Sequence, residues 1–141
     1  MADLIEPFDA LDHLVLLNAE GGALPLLRSV DAWRNVNRCA GGRVIGFSRP
    51  QAAEDLHPDR WEMHPAGDEF LHLIEGEMDV VLDRPGEGAR LPLTLTLTLT
   101  QGGAVVVPQG IWHRLLLKRP SALMFVTPAG GTQMRPVEAG T

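Results

Sequence analysis

Leu93-Thr94-Leu95-Thr96-Leu97-Thr98-Leu99-Thr100 alternates apolar and polar residues without a break. A period of two is the side-chain period of an extended strand, whose successive residues face opposite ways. The spacing therefore predicts a strand with Leu93, Leu95, Leu97 and Leu99 on a core and the threonines on the other face. Reading onward, Gln101-Gly102-Gly103 turns the chain, Ala104 to Val107 is a strand, and Pro108-Gln109-Gly110 turns it again. Trp112 to Leu117 and Ala122 to Thr127 read as strands with a turn, Lys118 to Ser121, between them. Reading back, Arg84-Pro85-Gly86-Glu87-Gly88 is a loop, and Met78, Val80 and Leu82 share one face of a strand. Glu75-Gly76-Glu77 separates that strand from an earlier one over Glu69 to Glu75, and Trp61 to His64 and Arg43 to Ser48 complete the series. Short strands parted by turn signals at this spacing indicate an antiparallel barrel or sandwich. Strand–helix–strand alternation is missing, which disfavours a parallel α/β sheet.

The first 42 residues are less regular. Asp12 to Leu17 reads as an edge strand. Ser29 to Arg38 reads as a short helix with Ser29 as its N-cap and Val30, Trp33 and Val36 on one face. The tail after Pro128 is rich in Gly and Pro and reads as loop. The organisation expected is one domain over 1–141, with a core barrel at about 43–127, an N-terminal extension over 1–42 and a C-terminal tail over 128–141. At 141 residues the chain suits a single domain, large enough to stand without disulfides. The formal net charge is −6, and Lys118 is the only lysine. No basic cluster could neutralise a run of phosphates, so nucleic acid is excluded as an expected partner. Cys39 is the only cysteine, which rules out an internal disulfide and points to a reducing cytoplasm. The N-terminus lacks the pattern of a signal peptide, and no apolar run approaches the ~20 residues of a membrane span.

Two stretches carry chemistry. The first is Glu62-Met63-His64-Pro65-Ala66-Gly67-Asp68-Glu69, with Gly76 closing it. The second runs from Gly102 through Pro108-Gln109-Gly110-Ile111-Trp112-His113. Together they resemble the paired motifs of the cupin superfamily, G(X)5HXH(X)3,4E(X)6G and G(X)5PXG(X)2H(X)3N. In the first, His64, Glu69 and Gly76 match, Glu62 stands at the first His position, and Leu56 stands where a glycine is expected. In the second, every fixed position matches but the last, where Leu117 replaces Asn. The resemblance implies an all-β double-stranded β-helix, or jelly-roll barrel. It also implies one divalent metal held by Glu62, His64, Glu69 and His113, and pairing of chains into a homodimer.

The spacing is compatible with that ligand set on physical grounds. Residues two apart on a strand share a face, so Glu62 and His64 can reach one ion. A four-residue turn brings Glu69 beside them, and the Pro-x-Gly turn delivers His113 from a distant strand. Imidazole and carboxylate donors together suit iron, manganese, zinc or nickel. The glutamate at position 62 departs from the usual three-His, one-Glu set. Two carboxylates bring the site with a divalent ion to about zero charge and weaken its Lewis acidity. If one Glu binds, the set becomes two His and one carboxylate, as non-haem iron oxygenases use. The sugar-phosphate isomerase branch is similar in placing an oxygen ligand before the x-His. The absence of tyrosine counts against the sugar-nucleotide epimerase branch, where a Tyr is the acid.

Other residues are read as structural. His72 should face away from the site, Asp68 should serve a turn, and Trp61 and Trp112 should pack behind the ligands. Cys39 reads as a small apolar residue, and His57 as part of a loop. The expected function is a metal-dependent oxygenase or isomerase acting on a small molecule. A non-catalytic ligand-binding barrel or one with a vestigial site is the alternative.

Overall fold

The computed structural model describes residues 5–85 and 92–138, and the side chains of residues 84, 85, 92 and 93 are left out of that description. Among the described residues the chain forms strands β1 (His13–Leu17), β2 (Ala23–Leu27), β3 (Arg43–Ser48), β4 (Arg60–Met63), β5 (Glu69–Pro85), β6 (Pro92–Thr100), β7 (Ala104–Val107), β8 (Trp112–Pro128) and β9 (Gln133–Pro136). Helix α1 (Val30–Arg38) lies between β2 and β3, and a short 3-10 helix (Ala53–Leu56) lies between β3 and β4. All described strand pairings are antiparallel.

β5 and β8 pair along most of their length and belong to both layers of the barrel. One layer runs β2-β1-β3-β8-β5-β7, using the second half of β8 and the first half of β5. The other runs β9-β4-β8-β5-β6, using the opposite halves. This is the expected all-β jelly roll. The breaks read at Glu75-Gly76-Glu77 and at Lys118 to Ser121 are not chain reversals. They are the corner where two continuous strands cross between layers, and the β5–β8 register shifts there between Leu73 and Met78. Gly76 has φ +100, a conformation a side chain disfavours, and a Cβ on it would lie 2.1 Å from Ser121 Oγ.

Leu99 is buried, while Leu95 and Leu97 pack on the core partly buried; Thr94, Thr96, Thr98 and Thr100 are exposed. The expected facing of the Leu-Thr strand is therefore observed, with the Leu93 side chain outside the described residues. The main core joins Leu71, Leu73, Met78, Val80, Leu82, Leu99, Val107 and Leu123. Each such side chain contributes about 1.5–3 kcal/mol through burial. A second cluster of Leu14, Ala32, Val36, Val44 and Ala129 seats α1 against β1 and β3.

Several expectations are corrected. The loop read over 84–88 begins later, because Arg84 and Pro85 continue β5 opposite Leu93 and Pro92; residues 86–91 lie outside the described residues. The tail is not all loop, since β9 pairs with β4 from Arg60↔Pro136 to Met63↔Gln133. The N-terminal extension forms a β1–β2 hairpin that pairs with β3, so it widens the first layer. On α1, Ala32 and Val36 are buried, but Val30 is 68% and Trp33 37% exposed. The helix rolls so that Val30 and Trp33 line a cavity. Ser29 caps the helix as read, its Oγ accepting from the Ala32 amide at 2.9 Å. Ser29→Ala should lower stability by about 1 kcal/mol, measured as a displaced urea midpoint with an unchanged slope.

Candidate metal centre

β4 carries Glu62, and His64 follows its last residue. Glu69 opens β5, and His113 is the second residue of β8, directly opposite Glu62 in the sheet. The two motif turns are stitched together. The Gly110 amide donates to His64 O at 3.0 Å, the Gln109 amide to Asp68 Oδ1 at 2.8 Å, and Gln109 Nε2 to Pro65 O at 2.6 Å. Asp68 is thus a turn residue, as read.

All four sequence-selected residues come together. Glu69 Oε1 lies 3.0 Å from His113 Nε2, and Glu69 Oε2 lies 3.2 Å from His64 Nε2. Glu62 Oε2 is 4.0 Å from each of the same two nitrogens. One donor atom from each of Glu62, His64 and His113 lies within 4.8 Å of the others. His64, Glu69 and His113 are buried, while the Glu62 side chain is 38% exposed toward the cavity. Both Nε2 atoms are buried yet make no well-aligned hydrogen bond. Their Nδ1 atoms are occupied: His113 Nδ1 contacts Ile111 O at 3.1 Å, and His64 Nδ1 contacts Thr132 Oγ1 at 3.0 Å. A carbonyl only accepts, so His113 Nδ1 donates, and in the neutral ring Nε2 presents a lone pair. Orphaned imidazole nitrogens beside carboxylates, with their opposite nitrogens anchored, are the chemistry a divalent ion satisfies.

Charge couples these groups. Burial pushes the Glu62 carboxyl above its usual range, and the Glu69 charge pushes the same way. Burial also opposes ionisation of Glu69, but short contacts with His113 and His64 outweigh it and hold its pKa at about 2. Burial disfavours the His113 imidazolium, and contact with Glu69 more than offsets this, raising its pKa. The buried Glu69, the partly exposed Glu62 and the two imidazoles therefore compensate one another only in part, as like charges at close range must.

Sequence reasoning missed three supporting side chains. Thr127 donates to Glu69 Oε2 at 2.5 Å. Thr132 contacts His64, and its amide donates to Asn37 Oδ1 at 2.7 Å, which ties α1 to the site. Only three-dimensional pairing finds these, since none stands at a recognisable spacing. The residues read as structural behave so. His72 faces away and lies beside Phe70, with ring centroids 6.3 Å apart. Trp61 and Trp112 are not among the residues lining the cavity and instead lie against Arg135, which is 5.7 and 4.5 Å from their ring centroids and pairs with Asp83. His57 caps the 3-10 helix at φ 49 and lines the cavity, a placement its sequence position did not signal.

No family model matches the chain, and no curated protein does. Solved structures do. A cupin-2 domain protein from Shewanella frigidimarina is 19% identical over 61% of this chain and 70% of its own, with TM-score 0.44. Hydroquinone 1,2-dioxygenase from Sphingomonas sp. TTNP3 is 19% identical over 63% of this chain and 60% of its own, with TM-score 0.47. HEPD of Streptomyces albus, solved with 2-hydroxyethylphosphonate and Fe(II), is 18% identical over 67% of this chain, with TM-score 0.49. The chain spans less than two thirds of the dioxygenase and 21% of HEPD. The two layers share β5 and β8, and both motif stretches meet in one cluster, so the chain is an all-β antiparallel jelly roll that carries a candidate metal-binding site.

Proposed function

We propose that this chain is a metal-dependent enzyme that binds one divalent ion through His64, His113 and Glu69, with Glu62 as a fourth ligand, and acts on a small molecule as an oxygenase or isomerase. The observation that carries the reading is the pair of buried Nε2 atoms that make no well-aligned hydrogen bond and lie within 3.0 to 4.0 Å of two carboxylates on the cavity wall. A bound ion would supply Lewis acidity and open coordination positions. The chain's own residues do the rest. Ile111 O and Thr132 Oγ1 orient the two rings, Thr127 holds Glu69, and half-exposed Glu62 faces the cavity where a substrate proton could be taken or returned.

Purified protein should hold about one divalent ion per chain. After chelation, return of iron or manganese at a thousandfold over its Kd should raise the melting temperature by roughly 10 °C. Oxygen uptake by the iron form, screened across small organic molecules, separates the oxygenase from a non-catalytic barrel. Protein without metal and without a metal-dependent thermal shift would end the proposal.

The same reading includes a homodimer. β2, paired on one side with β1 among the described residues, carries Leu24 and Leu27 at 52% and 66% exposure, which supports assembly through this layer. Light scattering should give twice the 15.3 kDa chain mass; a single-chain mass across a wide concentration range would exclude it.

A further inference from the structure

We infer that the small molecule of this site is an organic anion with a flat apolar body, its anionic group paired with Arg28 and its body against Trp33 and Phe125. The assignment rests on the metal-site reading above for the position of the reacting end. A cavity of about 890 Å³ runs from Glu62, Glu69 and His113 to Arg28 and Trp33, within the size range of small-ligand sites. Its charge is opposite to that of the chain. The protein carries 12 Lys and Arg against 18 Asp and Glu, yet five arginines and three carboxylates line this cavity. Two of those carboxylates, Glu62 and Glu69, belong to the metal cluster, and two of the arginines, Arg34 and Arg60, pair with Asp31 and Asp59, which leaves Arg28, Arg49 and Arg114 against Asp55 on the rest of the wall.

Arg28 is one of three arginines on this wall, with Arg49 and Arg114, that no carboxylate pairs with among the described residues, and it is the one beside the aromatic rings. Its guanidinium is half-buried, and Nη1 donates to Phe47 O at 2.7 Å and Leu11 O at 3.4 Å. Neither acceptor carries charge, and among the described residues no carboxylate pairs with it. Arg34 and Arg60 differ, since they pair with Asp31 and Asp59. Burial lowers the Arg28 pKa, which is the electrostatic cost of a desolvated cation without a counter-ion. A carboxylate in the cavity would offset that cost, and the planar fork would receive it with two parallel bonds.

The apolar body is set by the rings beside it. Trp33 and Phe125 stack with centroids 6.0 Å apart and planes 26° from parallel, and the Arg28 carbon lies 5.9 Å over the Phe125 ring. Trp33 is 37% exposed although it is on a helix that seats its other face in the core. An exposed aromatic wall beside an unpaired guanidinium fits a flat carboxylate better than a sugar or a cation.

The test uses metal-loaded full-length protein, with metal content measured first, and titrates benzoate against its neutral isostere benzamide by calorimetry. Benzoate should bind at least tenfold more tightly than benzamide. Arg28→Met should weaken benzoate at least tenfold and leave benzamide and metal content unchanged. Equal binding of the two compounds overturns the inference without need of any variant, as does failure of benzoate to bind metal-loaded protein. Arg28-dependent benzoate binding by protein that takes up no metal would instead retain the anion site and remove the metal reading.

Discussion

His113→Ala protein should purify as a folded barrel that has lost its divalent ion. Removing a partner that merely orients a ligand typically weakens metal binding 10–100-fold, so losing the ligand itself should cost at least about a hundredfold. The fold should persist because the main core is built from apolar residues of β5, β6, β7 and β8 and does not include the cluster. Glu69 would keep two partners, His64 at 3.2 Å and the Thr127 hydroxyl at 2.5 Å, so its buried carboxylate is not stranded. His72→Ala supplies the control: this imidazole is on the other face of β5, and its loss should leave metal content intact. Elemental analysis and circular dichroism on both variants decide the matter. Full occupancy in His113→Ala would mean that the ion, if any, sits elsewhere.

Gly76→Ala should be strongly destabilising. At φ +100 an alanine is strained, at roughly 1–3 kcal/mol. Its Cβ would also meet Ser121 Oγ at 2.1 Å and the Pro120 carbonyl oxygen at 2.7 Å. The backbone carbonyl cannot rotate away as a flexible side chain could, and Ser121 Oγ already accepts from the Glu77 amide. Strain and displacement together should reach about 3 kcal/mol or more, roughly a hundredfold in the folding equilibrium. Gly110 isolates the two contributions. Its φ is +80, but a Cβ there meets nothing within 4 Å, so Gly110→Ala should show the backbone strain alone. Urea unfolding of the two variants side by side gives the difference. Equal stabilities would refute the crowding argument at the corner.

What could be read from sequence was whatever depends on short spacing. Glu62, His64 and Glu69 lie within eight residues, and strand alternation determines which of them share a face. His113 followed from the turn that precedes it. The Leu-Thr alternation gave its strand and its facing, because a period of two admits no second assignment. Less legible was anything decided by a distant partner. Glu75-Gly76-Glu77 and Lys118 to Ser121 carry turn chemistry, and only their pairing with each other makes them one corner of two unbroken strands. β9 contains Pro136 and follows two glycines, so nothing local marks it; its strand character comes from β4 alongside. Val30 and Trp33 have the spacing of a core-facing stripe, but Ala32 and Val36 occupy the core contact instead. Thr127, Thr132 and Asn37 are ordinary residues given their roles by where the chain returns.

The sharing of β5 and β8 by both layers also sets an order of events in the cell. On a ribosome the N-terminal residues emerge first, and β5 is followed by its local partners β6 and β7. Among the described residues the first half of β8 pairs with β4 and β5, and the β3 edge stays open until residues 123–128 are made. Neither layer can close before that last long strand arrives. Barrel formation is thus dominated by contacts distant in sequence, a topology that folds slowly. Until it happens, the apolar face of β5 depends on β6 and β7 for cover, and the nascent chain is at its most vulnerable to capture by chaperones or by other copies of itself.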